Sequence, residues 1–155
     1  MAIHLLEDDA GVNESLALLF AHFNVDVIRH NNAESLFRAK PPGADDIVFV
    51  DLKLPGVSGA EAIRWLQSLK EPPRIVVISG QSQVTIRSEL AGMNVTGLLR
   101  KPLNQETVLR ELCRIGYELP SIRHRSNPTD TGRIRSDVRD PAGHQPRTPL
   151  TRYGA

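Results

Sequence analysis

The chain has 155 residues, 40% hydrophobic and 24% charged, with a single cysteine, 11 prolines and a formal net charge of +1. At about 100–200 residues per domain the length supports one ordinary core. The lone Cys113 excludes a disulfide scaffold or a cysteine-rich zinc site and fits a reducing cytosol, and near-neutrality removes the simplest argument for nucleic-acid or membrane binding.

The first strand is expected at Ile3-His4-Leu5-Leu6, where Glu7-Asp8-Asp9 stops an apolar run far too short for a signal peptide. Val12, Leu16, Leu19, Phe20 and Phe23 then keep helical spacing on one face. Residues 25–29 read as a second strand and 33–39 as a short helix. Pro41-Pro42-Gly43 forces a loop before a third strand at 47–50, which is apolar on both faces and therefore central and parallel. Ser58-Gly59-Ala60-Glu61 is a capping box opening a third helix, with Ile63, Leu66 and Leu69 on its buried side. After Pro72-Pro73 come an all-apolar strand at 75–78, a weaker helix at 84–91 and a short strand at 97–99. The last helix has Asn104 as N-cap, a Leu103/Val108 staple and a Val108, Leu112, Ile115 stripe, and Pro120 closes it. Trp65 is assigned to packing. His4, His22 and His30 look dispersed and do not suggest metal ligands.

Five β/α pairs with short connections predict an α/β fold, a doubly wound five-stranded parallel sheet. Ligands of such sheets collect at the carboxyl ends of the strands, near the point where strand order reverses. Those ends carry Glu7-Asp8-Asp9, Asp51, Ser79 and Lys101-Pro102 on strands 1, 3, 4 and 5. Singly, each is a common turn or cap residue. Together they offer carboxylates that a hard cation such as Mg²⁺ would hold, a lysine suited to transferring phosphoryl charge, and a hydroxyl donor.

Leu5-Leu6-Glu7-Asp8-Asp9, the run from Val48 to Gly59 containing Asp51-Leu52-Lys53-Leu54-Pro55-Gly56-Val57-Ser58-Gly59, Ile78-Ser79-Gly80 and Lys101-Pro102 resemble the receiver domain of two-component response regulators. The resemblance covers about residues 1–118 and implies the flavodoxin-like (βα)5 receiver fold. It further implies that Asp51 accepts a phosphoryl group from a sensor histidine kinase or a phosphotransfer protein. Glu7 and Asp8 would be the acidic pair holding Mg²⁺, Asp8 and Asp51 directly and Glu7 through water, joined by the Lys53 backbone carbonyl. Lys101, before a cis bond to Pro102, would pair with the phosphoryl oxygens, and the Ser79 hydroxyl would swing toward them. Asp9 is read as a first-turn charge favourable to the helix dipole. The Lys53 side chain is expected in solvent near the phosphoryl group. The family usually has Tyr or Phe where this chain has Leu98, so either leucine relays the switch or the output face switches differently.

Three other readings compete. A haloacid dehalogenase-type phosphatase needs a second Asp two residues after its nucleophile, where this chain has Lys53. A pseudo-receiver that binds a partner without phosphorylation fits poorly with a full set of Glu7, Asp8, Asp51, Ser79 and Lys101. A dinucleotide-binding protein would need a Gly-rich turn after the first strand, and the turn here is acidic.

The sequence also divides by composition. Residues 1–119 hold 12 Lys and Arg against 15 Asp and Glu, whereas 120–155 hold 7 Arg, 3 Asp and 5 prolines. The second stretch has too few large apolar residues to offset its ordering entropy and is expected to be an unstructured tail or a docking or self-association arm. Its arginines alternate with Asp137 and Asp140, so no direct DNA binding is expected. The expectation is a cytoplasmic single-domain regulator, with no membrane segment, that docks on an unknown downstream protein, relays phosphate onward or pairs as a homodimer.

Overall fold

A computed structural model describes residues 1–118; the expected tail and the closing role of Pro120 lie outside the described residues. The elements in chain order are β1 (Ile3–Leu6), α1 (Ala10–His22), β2 (Val27–His30), α2 (Ala33–Arg38), β3 (Ile47–Asp51), α3 (Gly59–Gln67), β4 (Arg74–Ser79), α4 (Gln83–Glu89), β5 (Gly97–Arg100) and α5 (Gln105–Arg114). All strand pairs are parallel, in the order β2-β1-β3-β4-β5. This is the doubly wound, flavodoxin-like receiver architecture. Among the described residues no helix is long and apolar enough to cross a membrane.

The central strands are apolar on both faces because both faces are covered. Ile3, Leu5, Ile47, Phe49, Val76 and Ile78 meet Leu16 and Phe20 of α1 and Val108 and Leu112 of α5. Leu6, Val48, Val50, Ile75 and Val77 meet Leu36 of α2, Ala62, Ile63 and Leu66 of α3 and Ile86 of α4. Trp65 packs its ring against Phe37 at 4.7 Å between centroids, joining α2 to α3. Burying such side chains is worth about 1.5–3 kcal/mol each, which fixes the strand register and hence which residues reach the carboxyl edge.

Boundaries moved where polar residues complete an element. β2 begins two residues later than the apolar run and takes in His30, whose carbonyl accepts the Glu7 N–H at 3.1 Å. α4 stops at Glu89, short of the expected Ala91. Ser58 and Glu61 form both arms of the capping box on α3. Asp9 requires a correction. It precedes α1 as the N-cap, its side chain accepting the Val12 N–H at 2.9 Å, rather than sitting in the first turn.

Gly59 shows how tightly α3 is seated. A Cβ there would lie 2.1 Å from the Asp51 carbonyl oxygen and 2.6 Å from the Leu52 Cα, both backbone atoms that cannot step aside. Gly59→Ala should therefore destabilise the chain by about 3 kcal/mol, read as a lowered urea midpoint at constant m-value. A loss below 1 kcal/mol would mean that the Asp51 backbone is freer than this contact requires.

The histidines are a second correction. His4 and His30 are not dispersed: both are buried, stacked 5° from parallel, with His4 Nδ1 3.1 Å from His30 Nε2. One ring must donate and the other accept, so the two rings cannot both be imidazolium while this contact stands. Burial and the neighbouring His4 lower the His30 pKa from 6.5 to about 4. The unfolded chain thus binds a proton that the folded chain refuses. Stability contributed by neutral His30 is intact above the ordinary value and is lost as pH falls from there toward about 4. Between pH 7 and 5 the urea midpoint should fall more for the wild type than for His30→Gln. Equal falls would contradict this assignment.

Candidate functional site

Strand order reverses between β1 and β3, and the chain places acids on both sides of that crevice. Leu6 pairs with Val50, so Glu7 leaves β1 beside Asp51 at the end of β3. Asp51 pairs with Ile78, which brings Ser79 alongside, and Ser79 pairs with Arg100, which leads to Lys101. Glu7, Asp51 and Ser79 are buried and Asp8 is exposed.

Lys101 ties the acids together. Its Nζ lies 2.7 Å from Asp51 Oδ2 and 2.8 Å from Glu7 Oε2. The second contact is ionic only, for Glu7 Oε2 receives no directed hydrogen bond although it is fully buried. Asp51 Oδ1 accepts the Lys53 N–H at 3.1 Å, and Glu7 Oε1 accepts the Asp9 N–H at 3.1 Å. Burial and then the Asp51 charge push the Glu7 carboxyl above its ordinary value, with Lys101 opposing. Burial opposes the charged Lys101, but its hydrogen bond to Asp51 and the charges of Asp51 and Glu7 outweigh that, so its pKa rises.

Two negative carboxylates and one ammonium leave this buried pair undercompensated, before Asp8 is counted. Glu7, Asp8 and Asp51 each bring one oxygen to within 4.8 Å of the others, the only such cluster among the described residues. One cation can touch all three, and an all-oxygen donor set beside open solvent is what Mg²⁺ prefers. The residues present fit such an ion, and Glu7 Oε2 is the oxygen with most to gain from it.

The crevice measures about 520 Å³ and is lined by Glu7, Asp8, Asp9, Asp51, Lys53, Gly80, Gln81 and Lys101. The Lys53 side chain is exposed at its rim. Asp9 and Lys101 also line a larger, mostly apolar groove of about 750 Å³ between α1 and the start of α5, which holds Val12, Leu19, Pro102 and Leu103. The Lys101–Pro102 bond is cis. Leu98 lies on β5 away from the crevice and is 38% exposed.

Sequence reasoning missed two residues that hold the site. Asn13 is buried on α1 and its Nδ2 donates to the Glu7 carbonyl at 2.9 Å, while Arg29 Nε donates to its Oδ1. The signal was an amide on the helix face shared with Leu16 and Phe20. Gln81 bonds the Ser79 hydroxyl; only its place two residues on from Ser79 pointed to it.

The sequence profile of the response regulator receiver domain matches residues 3–113. The chain belongs to that family. Among curated relatives, the transcriptional regulatory protein FixJ of Azorhizobium caulinodans is 26% identical over 109 residues, covering 70% of this chain and 52% of FixJ. The cell cycle response regulator CtrA of Brucella ovis is 24% identical over 115 residues, covering 74% of this chain and 50% of CtrA. This receiver chain thus spans about half the length of those relatives. Among solved structures, FixJ-N superposes with a TM-score of 0.65 at 25% identity, covering 74% of this chain and 91% of its own. The receiver domain of the sensor histidine kinase PA1611 from Pseudomonas aeruginosa superposes with a TM-score of 0.67 at 18% identity, covering 74% and 97%, and carries a magnesium ion in its active site cleft.

Proposed function

We propose that this receiver accepts a phosphoryl group on Asp51, with Mg²⁺ held by Glu7, Asp8, Asp51 and the Lys53 carbonyl. The donor is the phosphohistidine of a sensor kinase or phosphotransfer protein, in a cytoplasmic setting. The observation that carries the reading is the acidic triad within 4.8 Å, with Lys101 bonded to its central member. An ionised carboxylate needs no general base to attack phosphorus. The Asp51 carboxylate oxygen forms the new P–O bond as the donor's P–N bond breaks, and the donor ring, protonated on its other nitrogen, departs with that electron pair as neutral imidazole. Mg²⁺, when bound, would neutralise charge on the phosphoryl oxygens.

The chain's own residues supply the rest. Lys53 N–H and Lys101 hold the Asp51 carboxylate in place. Lys101 can then follow the charge onto the phosphoryl group, and Ser79 offers the neighbouring hydroxyl. Asn13 and Asp9 hold Glu7 from its carbonyl and its carboxylate. The apolar groove shares Asp9 and Lys101 with the crevice, which supports docking of the donor protein there. The signal leaves by protein contact or onward relay. Residues 1–119 are read as the phosphoacceptor unit and 120–155 as its basic tail.

With a small phosphodonor and Mg²⁺ the chain should gain one acid-stable, base-labile phosphoryl group, and with a chelator none. Incorporation that ignores the metal, or none at saturating Mg²⁺, would sink the proposal and favour a receiver-like scaffold.

A further inference from the structure

Ser79 is 1% exposed and has one proton to donate. That proton is committed: Ser79 Oγ donates to Gln81 Oε1 at 3.0 Å and accepts the Gln81 N–H at 3.1 Å. The other end of the Gln81 amide, Nε2, donates to Glu89 Oε1 at 2.9 Å on the last residue of α4. A carboxylate only accepts, so the amide can point one way alone, nitrogen toward Glu89 and oxygen toward Ser79. Arg100, at the end of β5, donates to the Gln81 backbone carbonyl and pins the main chain, so the side-chain amide is the part whose bonds can change.

We propose that Gln81 is a positioning residue that holds the Ser79 hydroxyl off the phosphoryl group and couples its setting to α4 through Glu89. This deepens the phosphoacceptor reading and rests on it. A phosphoryl group on Asp51 brings roughly two negative charges beside Ser79. A charge-assisted bond is about twice as strong as a neutral one, so the single Ser79 proton goes to the phosphoryl oxygen. Gln81 Oε1 then loses its donor, the amide is free to turn, and Glu89 loses its partner. α4 has seven residues and one buried side chain, Ile86, so a bond from its last residue is a large share of what seats it. The Leu98 side chain has no polar atom with which to carry such a message, whereas the path from Ser79 through Gln81 to Glu89 is hydrogen-bonded throughout.

The test uses the full chain with Gln81→Met, which keeps side-chain length and removes both amide bonds, and Glu89→Leu, which removes only the far one. Without any phosphodonor, both should speed amide exchange at residues 85–90 by about fivefold, the worth of one intramolecular hydrogen bond. Mg²⁺ with beryllofluoride should produce the same increase in the wild type and add little in either variant. With a small phosphodonor, Gln81→Met should alter the phosphorylation rate severalfold in the wild-type background and have no effect beside Ser79→Ala. Unchanged exchange in both variants, or a Gln81→Met effect that persists beside Ser79→Ala, would overturn the coupling. A wild-type chain that takes no phosphoryl group would instead overturn the phosphoacceptor reading, while the exchange arm, run without donor, still judges the latch.

Discussion

Asp51→Asn should leave the chain unable to take a phosphoryl group, with incorporation falling to background, yet should not weaken the fold. The amide is neutral and its nitrogen is no substitute for a carboxylate oxygen as nucleophile. It can still accept the Lys53 N–H and bond Lys101, the two partners Asp51 has now. What it removes is one of two buried like charges, for the Asp51 charge is among the causes that raise Glu7. The melting temperature without Mg²⁺ at pH 7.5 should equal or exceed that of the wild type. The Mg²⁺-dependent rise in melting temperature expected of an ion that binds only the folded chain should shrink in this variant. Phosphorylation that persists unchanged would contradict the assignment, and a loss of about 2 kcal/mol would show that Asp51 is primarily structural.

Lys101→Met should do the opposite to stability and also damage transfer. The variant leaves Glu7 and Asp51 buried together with no cation at 2.7–2.8 Å. Breaking a buried pair from one side commonly costs about 3–5 kcal/mol, and with the Lys101 side chain 24% exposed we expect about 2 kcal/mol. Loss of a charge aimed at the transferring group should slow phosphorylation by about 100- to 1000-fold. The pH dependence follows from Glu7. Its folded pKa already lies above its ordinary value of 4.5, and removing Lys101 takes away causes that lower it. A raised carboxyl favours the fold below its unfolded value and loses that contribution as pH rises through its folded value. The deficit of Lys101→Met should thus be largest near pH 7.5 and shrink toward pH 5, measured as urea midpoints against the wild type. A deficit that stays flat or grows toward acid would contradict the electrostatic account.

Much of this was legible because fold and site use separate sequence signals. Apolar runs at 47–50 and 75–78 marked strands covered on both faces, and Ser58 with Glu61 marked the start of α3. The polar residues that interrupt those runs at corresponding ends, Glu7, Asp51, Ser79 and Lys101, then had to share one edge of the sheet. What escaped was set by contacts that only the folded backbone makes. His4 and His30 lie 26 residues apart and meet only because β1 and β2 are neighbours. Asn13 reads as a helix residue until α1 is laid over the Glu7 carbonyl. Gln81 has no local signature, since its role depends on Glu89 one turn past the middle of α4. Asp9 was misplaced by a single residue because caps and first turns favour the same acids.

The most direct test of the central claim is to find the acceptor atom. The chain phosphorylated with a small donor in Mg²⁺ would be reduced with borohydride, which converts an aspartyl phosphate to homoserine, digested, and sequenced by mass spectrometry. Homoserine is expected at position 51 alone. Homoserine at position 8 or 9, or phosphate retained on a hydroxyl or histidine with Asp51 intact, would contradict it.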